Sequence, residues 1–251
     1  MSRNLIIVRA GDQSLHPGWL GDRQRRRFDV MISYYGAESD RFRADADHYR
    51  AETGPRWPIH HRIMQEEGAL LARYEHVAFA CDDLRASAAD WHRLFDLCRK
   101  YRLDLAQPGI EGHVNHEITR RRQDCLLRYT NFVEIMCPIF SRTALQRLGP
   151  TFGESVSGWG LDMLWSSLLP YPRFKIAIVD DVGFYHARPQ GIGELAPVLD
   201  RLGVDRQQEL ARVTAKYRLE GHVPVEHARV QKHWLRRLSA RWRLVSSTAT
   251  H

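Results

Sequence analysis

The sequence lacks the features of several specialised protein classes. There is no C-x-x-C pair and no zinc-finger spacing with histidine among its four cysteines, which are Cys81, Cys98, Cys125 and Cys137. No apolar run reaches membrane-spanning length, and the N-terminal run at residues 5–8 is too short for the core of a secretion signal. We therefore expect free thiols and a cytoplasmic protein that folds without disulfides or a structural metal.

Familiar nucleotide-binding loops are missing too. The sequence has no G-x-x-x-x-G-K-[ST] loop and no G-x-G-x-x-G after a predicted strand. It also has no G-x-S-x-G turn of the kind that carries a nucleophilic serine. The missing loops argue against an ATPase and against an enzyme that binds a dinucleotide.

The excess positive charge is confined to the C-terminal part of the chain. The net charge is +7, from 37 Lys and Arg against 30 Asp and Glu. Residues 201–251 hold 11 basic and 4 acidic residues, which accounts for the whole excess. The rest of the chain is therefore neutral overall, which argues against nucleic-acid binding.

Residues 229–243 predict a basic amphipathic helix. Trp234, Leu238 and Trp242 would gather toward one side of it, with Arg and Lys on the rest. Such a helix suits peripheral contact with anionic lipids on the inner membrane face. Alternatively, the apolar side docks on the parent domain while the charges face water, and the sequence favours neither arrangement.

Short β-branched runs alternate with helical patterns along the chain. The predicted strands cover residues 4–8, 28–33, 76–80, 103–107, 131–139 and 175–179. Helical patterns cover residues 61–74 and 84–101 and begin again near residue 162. This alternation predicts an α/β fold with a mainly parallel sheet covered by helices on both faces. We assign residues 1–194 to this domain and residues 195–251 to a basic helical extension.

Two carboxylates follow the predicted strand at residues 76–80. Ligands bind beyond the carboxyl ends of strands in such sheets, and Asp82 and Asp83 offer oxygen ligands for a hard divalent cation. Asp83 also precedes a long predicted helix, where a carboxylate would cap free backbone N–H groups. The spacing alone favours capping.

A second candidate segment is residues 158–165, which read GWGLDMLW. Glycines allow the backbone to approach a ligand closely, and the indole of Trp159 offers a flat face for a sugar ring. Asp162 could accept a proton from an attacking hydroxyl group. The alternative is an N-cap at Asp162 with Trp159 and Trp165 in the core, and the two interpretations are evenly matched.

Weaker signals lie elsewhere in the chain. His186, which Arg188 follows closely, suits a metal-ligating imidazole beside a phosphate-binding guanidinium, although a lone histidine is more often a hydrogen-bonded surface residue. Residues 115–120 could line a cleft or form a polar strand. Arg56 and Arg62 could contact phosphate or cap a helix.

Several of these segments together resemble the domain of unknown function 707 family. The resemblance covers roughly residues 4–190, and the segments occur in the family's order: residues 28–36, 76–84, 105–108, 129–138, 157–165 and 178–189. That family is similar to glycosyltransferases of the GT-A type, which have a Rossmann-like three-layer fold and an Asp-x-Asp metal motif. The resemblance implies a nucleotide-diphospho-sugar donor and a glycan or lipid-linked acceptor.

The resemblance also implies roles for individual residues. Asp83 and His186 would hold Mn²⁺ or Mg²⁺, and Asp162 would be the general base of an inverting transfer. Donor binding is expected at Arg9, Gly11, Asp12, Tyr34, Arg62 and Asp82. Acceptor binding is expected at Glu134, Trp159 and Gly160.

Cys81 departs from the family's motif, because it stands where the first Asp is expected. A thiol is a poor ligand for Mg²⁺ or Mn²⁺ in an oxygen site. This favours a first alternative, a catalytically degenerate domain that binds a glycan or a protein partner. A second alternative is a metal-dependent hydrolase that uses the same Asp and His residues.

Overall fold

A single mixed sheet organises the chain. The structure is a computed structural model that describes residues 3–189 and 196–232. Its strands are β1 (Asn4–Ala10), β2 (Asp29–Tyr34), β3 (His48–Ala51), β4 (His76–Cys81), β5 (Leu84–Arg85), β6 (Leu105–Gly112), β7 (Cys125–Thr130), β8 (Ile139–Ser141), β9 (Ile176–His186) and β10 (Glu226–Gln231). The order across the sheet is β10-β7-β9-β6-β8-β4-β1-β2-β3, and β5 pairs with β9.

Helices cover both faces of this sheet. They are α1 (Pro17–Leu20), α2 (Arg56–Glu66), α3 (Gly68–Leu71), α4 (Ala88–Tyr101), α5 (Arg142–Leu148), α6 (Leu161–Leu168), α7 (Ala196–Arg201) and α8 (Arg206–Tyr217). Side chains of β1 alternate between the two faces, as the period of a strand requires. Ile6 packs in the core cluster of Trp91 from α4, whereas Ile7 packs in the cluster of Trp165 from α6. The predicted three-layer arrangement is confirmed.

The strand directions bring many loops to one edge of the sheet. β1, β2, β3, β4, β6, β9 and β10 run in one direction, and β5, β7 and β8 run in the other. The sheet is therefore mainly parallel in direction, with antiparallel strands inserted on both sides of β6 and β9. The carboxyl ends of β1, β2, β4 and β9 lie at the same edge, which is where ligands bind in such folds.

The segment after β4 does not enter a helix directly. β5 pairs with the end of β9 and places Leu84 opposite His186. Helix α4 begins only at Ala88, and Ser87 is its N-cap: Ser87 Oγ accepts a hydrogen bond from the backbone N of Asp90. The expectation that Asp83 caps this helix is therefore wrong, and the Asp83 carboxylate is available for other contacts.

Other predicted boundaries differ from the structure. The predicted strand over residues 131–139 is wrong, because β7 ends at Thr130, whose hydroxyl accepts from the backbone N of Phe132, and only Ile139 enters β8. The single helix predicted over residues 61–74 is divided into α2 and α3. β3, which is only four residues long, was not predicted.

The strand predicted at residues 175–179 continues much further. β9 runs to His186 because its pairing register with β6 shifts after Pro108, so that residues 180–182 bulge from the ladder. Asp180 is therefore a fully buried strand residue and does not lie in a loop at the strand's end.

The C-terminal segment is only partly helical. Helices α7 and α8 agree with the predicted extension, but β10 joins the main sheet and pairs with β7. The helix predicted over residues 229–243 is wrong for residues 229–231, which belong to β10, and residues 233–243 lie outside the described residues. Val213 from α8 and Leu219 are buried in the core. None of the helices in the described ranges is long and apolar enough to cross a membrane.

We expect a chain that ends at Asp200 to lose its stable fold. It lacks α8 and β10, so β7 becomes an unpaired edge, and the loss of buried Val213 and Leu219 costs about 1.5–3 kcal/mol for each side chain. Thermal unfolding monitored by circular dichroism would measure this. A chain that ends at Lys232 keeps every described element and is the control. A cooperative transition at the same Tm in both chains would contradict the expectation.

Candidate functional site

The centre of the candidate site is a contact between Asp83 and His186. Nε2 of His186 lies 3.3 Å from Oδ2 of Asp83, and the two side chains are 6% and 12% exposed. The pairing of β5 with β9 creates this contact, and the backbone N of Ala187 also donates to the carbonyl of Asp83 at 3.0 Å. The second carboxylate oxygen of Asp83, Oδ1, is buried without a hydrogen-bond partner.

The ring of His186 is held in one orientation. Its Nδ1 lies 2.7 Å from the carbonyl oxygen of His113, which can only accept, so Nδ1 carries a hydrogen. This leaves Nε2 facing Asp83. Burial disfavours the charged imidazole, but hydrogen bonding to the Asp83 carboxylate outweighs burial, and the pKa of His186 is raised. Gly112 makes the close approach possible, because a Cβ there would lie 2.6 Å from the carbonyl oxygen of His186.

The donor set at this contact suits a divalent cation only in part. Within residues 3–189 and 196–232, no three His, Cys, Asp or Glu side chains are grouped so that they could hold a metal ion. Asp83 and His186 supply one carboxylate and one imidazole, and the unpartnered Oδ1 of Asp83 is a buried oxygen in need of a positive partner. The two residues fit a cation whose remaining ligands come from a phosphorylated substrate or water.

Asp162 lies in the first turn of α6 but does not cap the helix. The N-cap position is Gly160, at φ 90°, and Asp162 Oδ1 accepts from the backbone N of Met163 at 2.9 Å. Asp162 is 9% exposed, and burial raises its pKa from 3.8 to about 6. The carboxylate is therefore largely ionised at neutral pH but is more basic than an exposed aspartate, as a general base requires.

Glu134 is a second buried carboxylate near Asp162. It is 3% exposed, and burial raises its pKa. Its Oε1 accepts a hydrogen bond from Asn115 Nδ2 at 2.7 Å, whereas Oε2 is buried without a partner. The charge of His116 favours the ionised forms of both Glu134 and Asp162. Asn115 and His116 gave only a weak signal in the sequence, as part of a segment that could line a cleft.

The turn before α6 is closely packed. Gly158 has φ 89°, and a Cβ there would lie 2.2 Å from Trp57 Nε1. Glu209 from α8 accepts hydrogen bonds from the backbone N of Val156 at 2.7 Å and of Ser157 at 2.8 Å. Trp159 is partly exposed, whereas Trp165 is fully buried and belongs to the core.

Asp82 has a different role from Asp83. Its Oδ2 accepts from the backbone N of Gly11 at 2.9 Å, and its carbonyl accepts from the backbone N of Leu15 at 2.7 Å. Asp82 therefore joins the loop after β1 to the end of β4. Gly11 is buried in this contact and offers no surface of its own.

Asp12 and Tyr34 shape the turn after β2. The hydroxyl of Tyr34 donates to Asp12, and the backbone N of Ala37 donates to Asp12 Oδ2 at 3.1 Å. The hydrogen bond from Tyr34, and to a smaller extent that from Ala37, lowers the pKa of Asp12. A Cβ at Gly36 would lie 2.2 Å from Asp12 Oδ1, so a larger residue there would displace this contact.

A cleft of about 660 Å³ opens next to this turn. It lies at the carboxyl ends of β2 and β3, and its lining includes Tyr35, Gly36, Glu52, Thr53 and Arg62. The guanidinium of Arg62 is 51% exposed, with Glu52 Oε2 at 3.7 Å. The expected donor residues Tyr34 and Arg62 thus border one cleft.

Arg9, also expected to bind the donor, is instead part of the framework. It is 2% exposed, and it donates to Ser33 Oγ at 2.7 Å and to the carbonyl oxygens of Glu52 at 3.0 Å and Gly54 at 2.8 Å. Burial lowers its pKa to about 10, so it remains charged at neutral pH. Arg9 therefore stabilises the backbone at Glu52, which lines the cleft.

Cys81 is directed toward Arg56. Its Sγ lies 2.8 Å from Arg56 Nη1, and Arg56 Nη2 donates to the carbonyl oxygens of Phe79 and Met136. Burial raises the pKa of Cys81 to about 12, so the group is a neutral thiol. Cys81 therefore contributes no anionic ligand. The sequence gave only a weak indication of Arg56, as a phosphate contact or helix cap.

Comparison with known proteins identifies the fold but not a family. No protein-family model matches the sequence, and no curated protein matches it. The resemblance to the domain of unknown function 707 family therefore stays a prediction.

Solved structures of glycosyltransferases resemble the chain. S. aureus TarS 1-349 in complex with UDP has a TM-score of 0.54 at 15% identity, covering 89% of this chain and 67% of that one. GalNAc-T7 with UDP, GalNAc and Mn²⁺ has a TM-score of 0.52 at 9% identity, covering 84% and 50%. S. aureus TarS has a TM-score of 0.47 at 13% identity, with 86% of this chain covered, and this chain spans only 43% of it. The predicted GT-A-type fold is confirmed.

We expect Asp162→Asn to stabilise the protein above pH 6. The raised pKa means that the folded state holds this proton more tightly, so the stability that it contributes is complete below about pH 4 and is lost as the pH rises through about 6. Asparagine avoids burial of the charge and keeps an oxygen for the backbone N of Met163. The free energy of unfolding at pH 8 should rise by about 1–3 kcal/mol.

Chemical denaturation at pH 4 and pH 8 would measure this difference. Asp181→Asn is the control of opposite sign, since Asp181 is partly buried but the ion pairs with Arg93 and Lys232 outweigh this and lower its pKa. That variant should be destabilised at pH 8. Equal stability of Asp162→Asn and the wild type at pH 8 would show that Asp162 is not a strained buried charge.

Proposed function

We propose that the chain transfers a sugar from a nucleotide diphosphate donor to a hydroxyl group of a glycan or lipid-linked acceptor, with a divalent cation and with inversion. The observation that carries this proposal is the pair Asp83 and His186, at 3.3 Å, with a buried unpartnered oxygen on Asp83. The pair lies at the carboxyl edge of a GT-A-type sheet, and the cleft that Tyr34 and Arg62 border opens at the ends of β2 and β3 on the same edge. Glu134 interacts electrostatically with both His186 and the buried base candidate Asp162.

The cleft at the ends of β2 and β3 is the proposed site of the nucleoside. Its volume of about 660 Å³ is in the range of small-molecule sites, and the exposed guanidinium of Arg62 offers donors for ribose or phosphate oxygens. The TarS 1-349 structure contains UDP, and the GalNAc-T7 structure contains UDP, GalNAc and Mn²⁺. These ligands support a nucleotide-sugar as the donor class for this chain.

Asp83 and His186 are the proposed protein ligands of the cation. The cation would supply positive charge that stabilises the departing diphosphate. His113 holds His186 so that Nε2 faces Asp83, and Asp82 secures the loop after β1 by accepting from Gly11. Cys81 takes no part as a ligand, because its thiol is neutral and faces Arg56.

Asp162 is the proposed general base. As the acceptor oxygen attacks the anomeric carbon, its proton passes to the Asp162 carboxylate, and the bond from that carbon to the diphosphate breaks with its electron pair on the diphosphate. A single displacement of this kind inverts the configuration. Glu134, Trp159 and the backbone at Gly160 are proposed to bind the acceptor, because they surround Asp162 in sequence or in electrostatic contact.

Calorimetric titration with UDP and GDP, each with and without Mn²⁺, tests the donor site. We expect one nucleotide to bind in the presence of Mn²⁺ and Asp83→Asn to weaken this binding by at least about 10-fold, through loss of a charged ligand. Asp181→Asn is the matched control, since it neutralises a nearby carboxylate outside the site. If neither nucleotide binds to the wild type, the chain is a degenerate domain that recognises a glycan or protein.

Substitution of the base should separate chemistry from binding. Asp162→Asn is expected to leave nucleotide affinity within about 2-fold while turnover falls by about 10²–10⁴-fold, the usual contribution of a general base. A screen of donor sugars and acceptors with product detection by mass spectrometry would measure turnover. Release of free sugar at the same rate with and without acceptor would identify a hydrolase and overturn the transferase proposal.

Contact with an anionic membrane is proposed for the basic C-terminal residues. β10 runs in the same direction as β4 and β9, so β10 ends at the edge of the sheet that carries the site. A cytoplasmic protein bound to the inner membrane face through residues 233–243 would meet a lipid-linked acceptor there. Co-sedimentation with anionic vesicles should be lost in a chain that ends at Lys232, and equal binding by both chains would exclude this contact.

A further inference from the structure

Among the described residues, the most deeply buried ion pair joins Arg128 on β7 to Asp180 on β9. The two side chains are 1% and 0% exposed. Arg128 Nε donates to Asp180 Oδ2 at 2.7 Å, and Nη2 donates to Oδ1 at 3.1 Å. A buried pair of this kind is often no more stabilising than apolar residues of similar volume. Its presence therefore suggests a role other than stability.

The pair binds the connection between β6 and β7, residues 113–124. Arg128 Nη1 donates to the carbonyl oxygen of Ile118 at 2.9 Å, and Nη2 donates to that of Arg120 at 2.9 Å. Asp180 Oδ1 accepts from the backbone N of Arg122 at 2.8 Å. One ion pair thus fixes three backbone positions in the second half of this loop.

The first half of the same loop carries groups of the candidate site. The carbonyl oxygen of His113 accepts from His186 Nδ1, and Asn115 Nδ2 donates to Glu134 Oε1. The loop is tied together internally, since the hydroxyl of Thr119 donates to the carbonyl oxygen of His116 at 2.8 Å. The site groups are therefore connected to the ion pair through a short hydrogen-bonded segment.

The bulge in β9 provides further hydrogen bonds that hold the connection between β6 and β7. Because residues 180–182 leave the ladder with β6, the carbonyl oxygens of Asp180 and Asp181 are free to accept from Arg121, at 3.0 and 3.1 Å. Two glycines make room for the Arg121 side chain. A Cβ at Gly183 would lie 2.5 Å from Arg121 Nη1, and one at Gly109 would lie 2.9 Å from Arg121 Cγ.

We propose that the Arg128–Asp180 pair is a positioning element of the candidate site. It holds residues 113–124 so that the His113 carbonyl fixes the ring of His186 and Asn115 fixes the carboxylate of Glu134. The cation-binding role of His186 rests on the proposed function, whereas the positioning of the loop does not.

Arg128→Lys is the test variant. Lysine keeps the charge, but its single ammonium group cannot reproduce the two-pronged contact with Asp180 together with the bonds to Ile118 and Arg120. Arg26→Lys is the matched control: Arg26 is 5% exposed in its side chain and pairs with Asp47 at 2.5 Å, at the opposite edge of the sheet. It reports the general effect of losing an Arg–Asp contact in which the arginine is buried and the aspartate is 22% exposed.

Two measurements on the full chain separate the inference from the proposed function. Hydrogen–deuterium exchange of residues 113–121 should be at least about 10-fold faster in Arg128→Lys than in the wild type or Arg26→Lys, because the anchor of the loop is weakened. Mn²⁺ affinity in the presence of UDP or GDP, whichever the wild type binds, should fall by about 10–100-fold, as for the loss of a group that orients a metal ligand.

Each outcome of these measurements supports or contradicts the positioning role of the Arg128–Asp180 pair. If exchange and Mn²⁺ affinity in Arg128→Lys match those of Arg26→Lys, the positioning role is wrong. If the wild type binds no Mn²⁺ with either UDP or GDP, the proposed function fails and the exchange measurement alone decides the positioning. If Arg128→Lys does not fold, Asp180→Asn takes its place with the same expectations, because asparagine removes the charge but keeps an oxygen for Arg122 N.

Discussion

The candidate site depends on the short antiparallel pairing between β5 and the end of β9. Asp83 and His186 are far apart in the sequence: Asp83 lies in the turn between β4 and β5, and His186 ends β9, which is not a neighbour of β4 in the sheet. The ladder that places Leu84 opposite His186 is what brings their side chains within 3.3 Å. Because α4 begins only after Ser87, the carboxylate of Asp83 is not consumed by the helix N-terminus and stays directed into the site.

The site also contains several buried carboxylates, and burial makes their negative charge unfavourable. Glu134 and Asp162 both have raised pKa values, and Asp83 keeps an unpartnered oxygen. Electrostatic attraction to His116, His186 and Arg56 offsets only part of the effect of burial on the pKa of Glu134. Local arrangements that cost stability and are not compensated within the protein are typical of places where a ligand supplies the missing charge or hydrogen bonds.

The sequence predicted the part of this architecture that depends on local pattern. The runs at β1, β2 and β4 and the amphipathic face of α4 follow from residue periodicity, and Asp83, Asp162 and His186 could be chosen because they follow strands or glycines. The cap at Ser87, the loop at Glu134 and the burial of Arg9 and Asp180 could not, because each is set by contacts between distant segments. A buried arginine and an exposed one have the same sequence signature.

The place of β10 in the sheet has a consequence for the order in which the protein is made. β7 lies between β9 and β10, so its outer edge stays open until synthesis has passed residue 231. The strands β1 to β4 come from the first third of the chain and can pair early. A nascent chain can therefore pair β1, β2, β3 and β4 while the outer edge of β7 is still open, and such an unpaired edge is exposed to aggregation until β10 has been made.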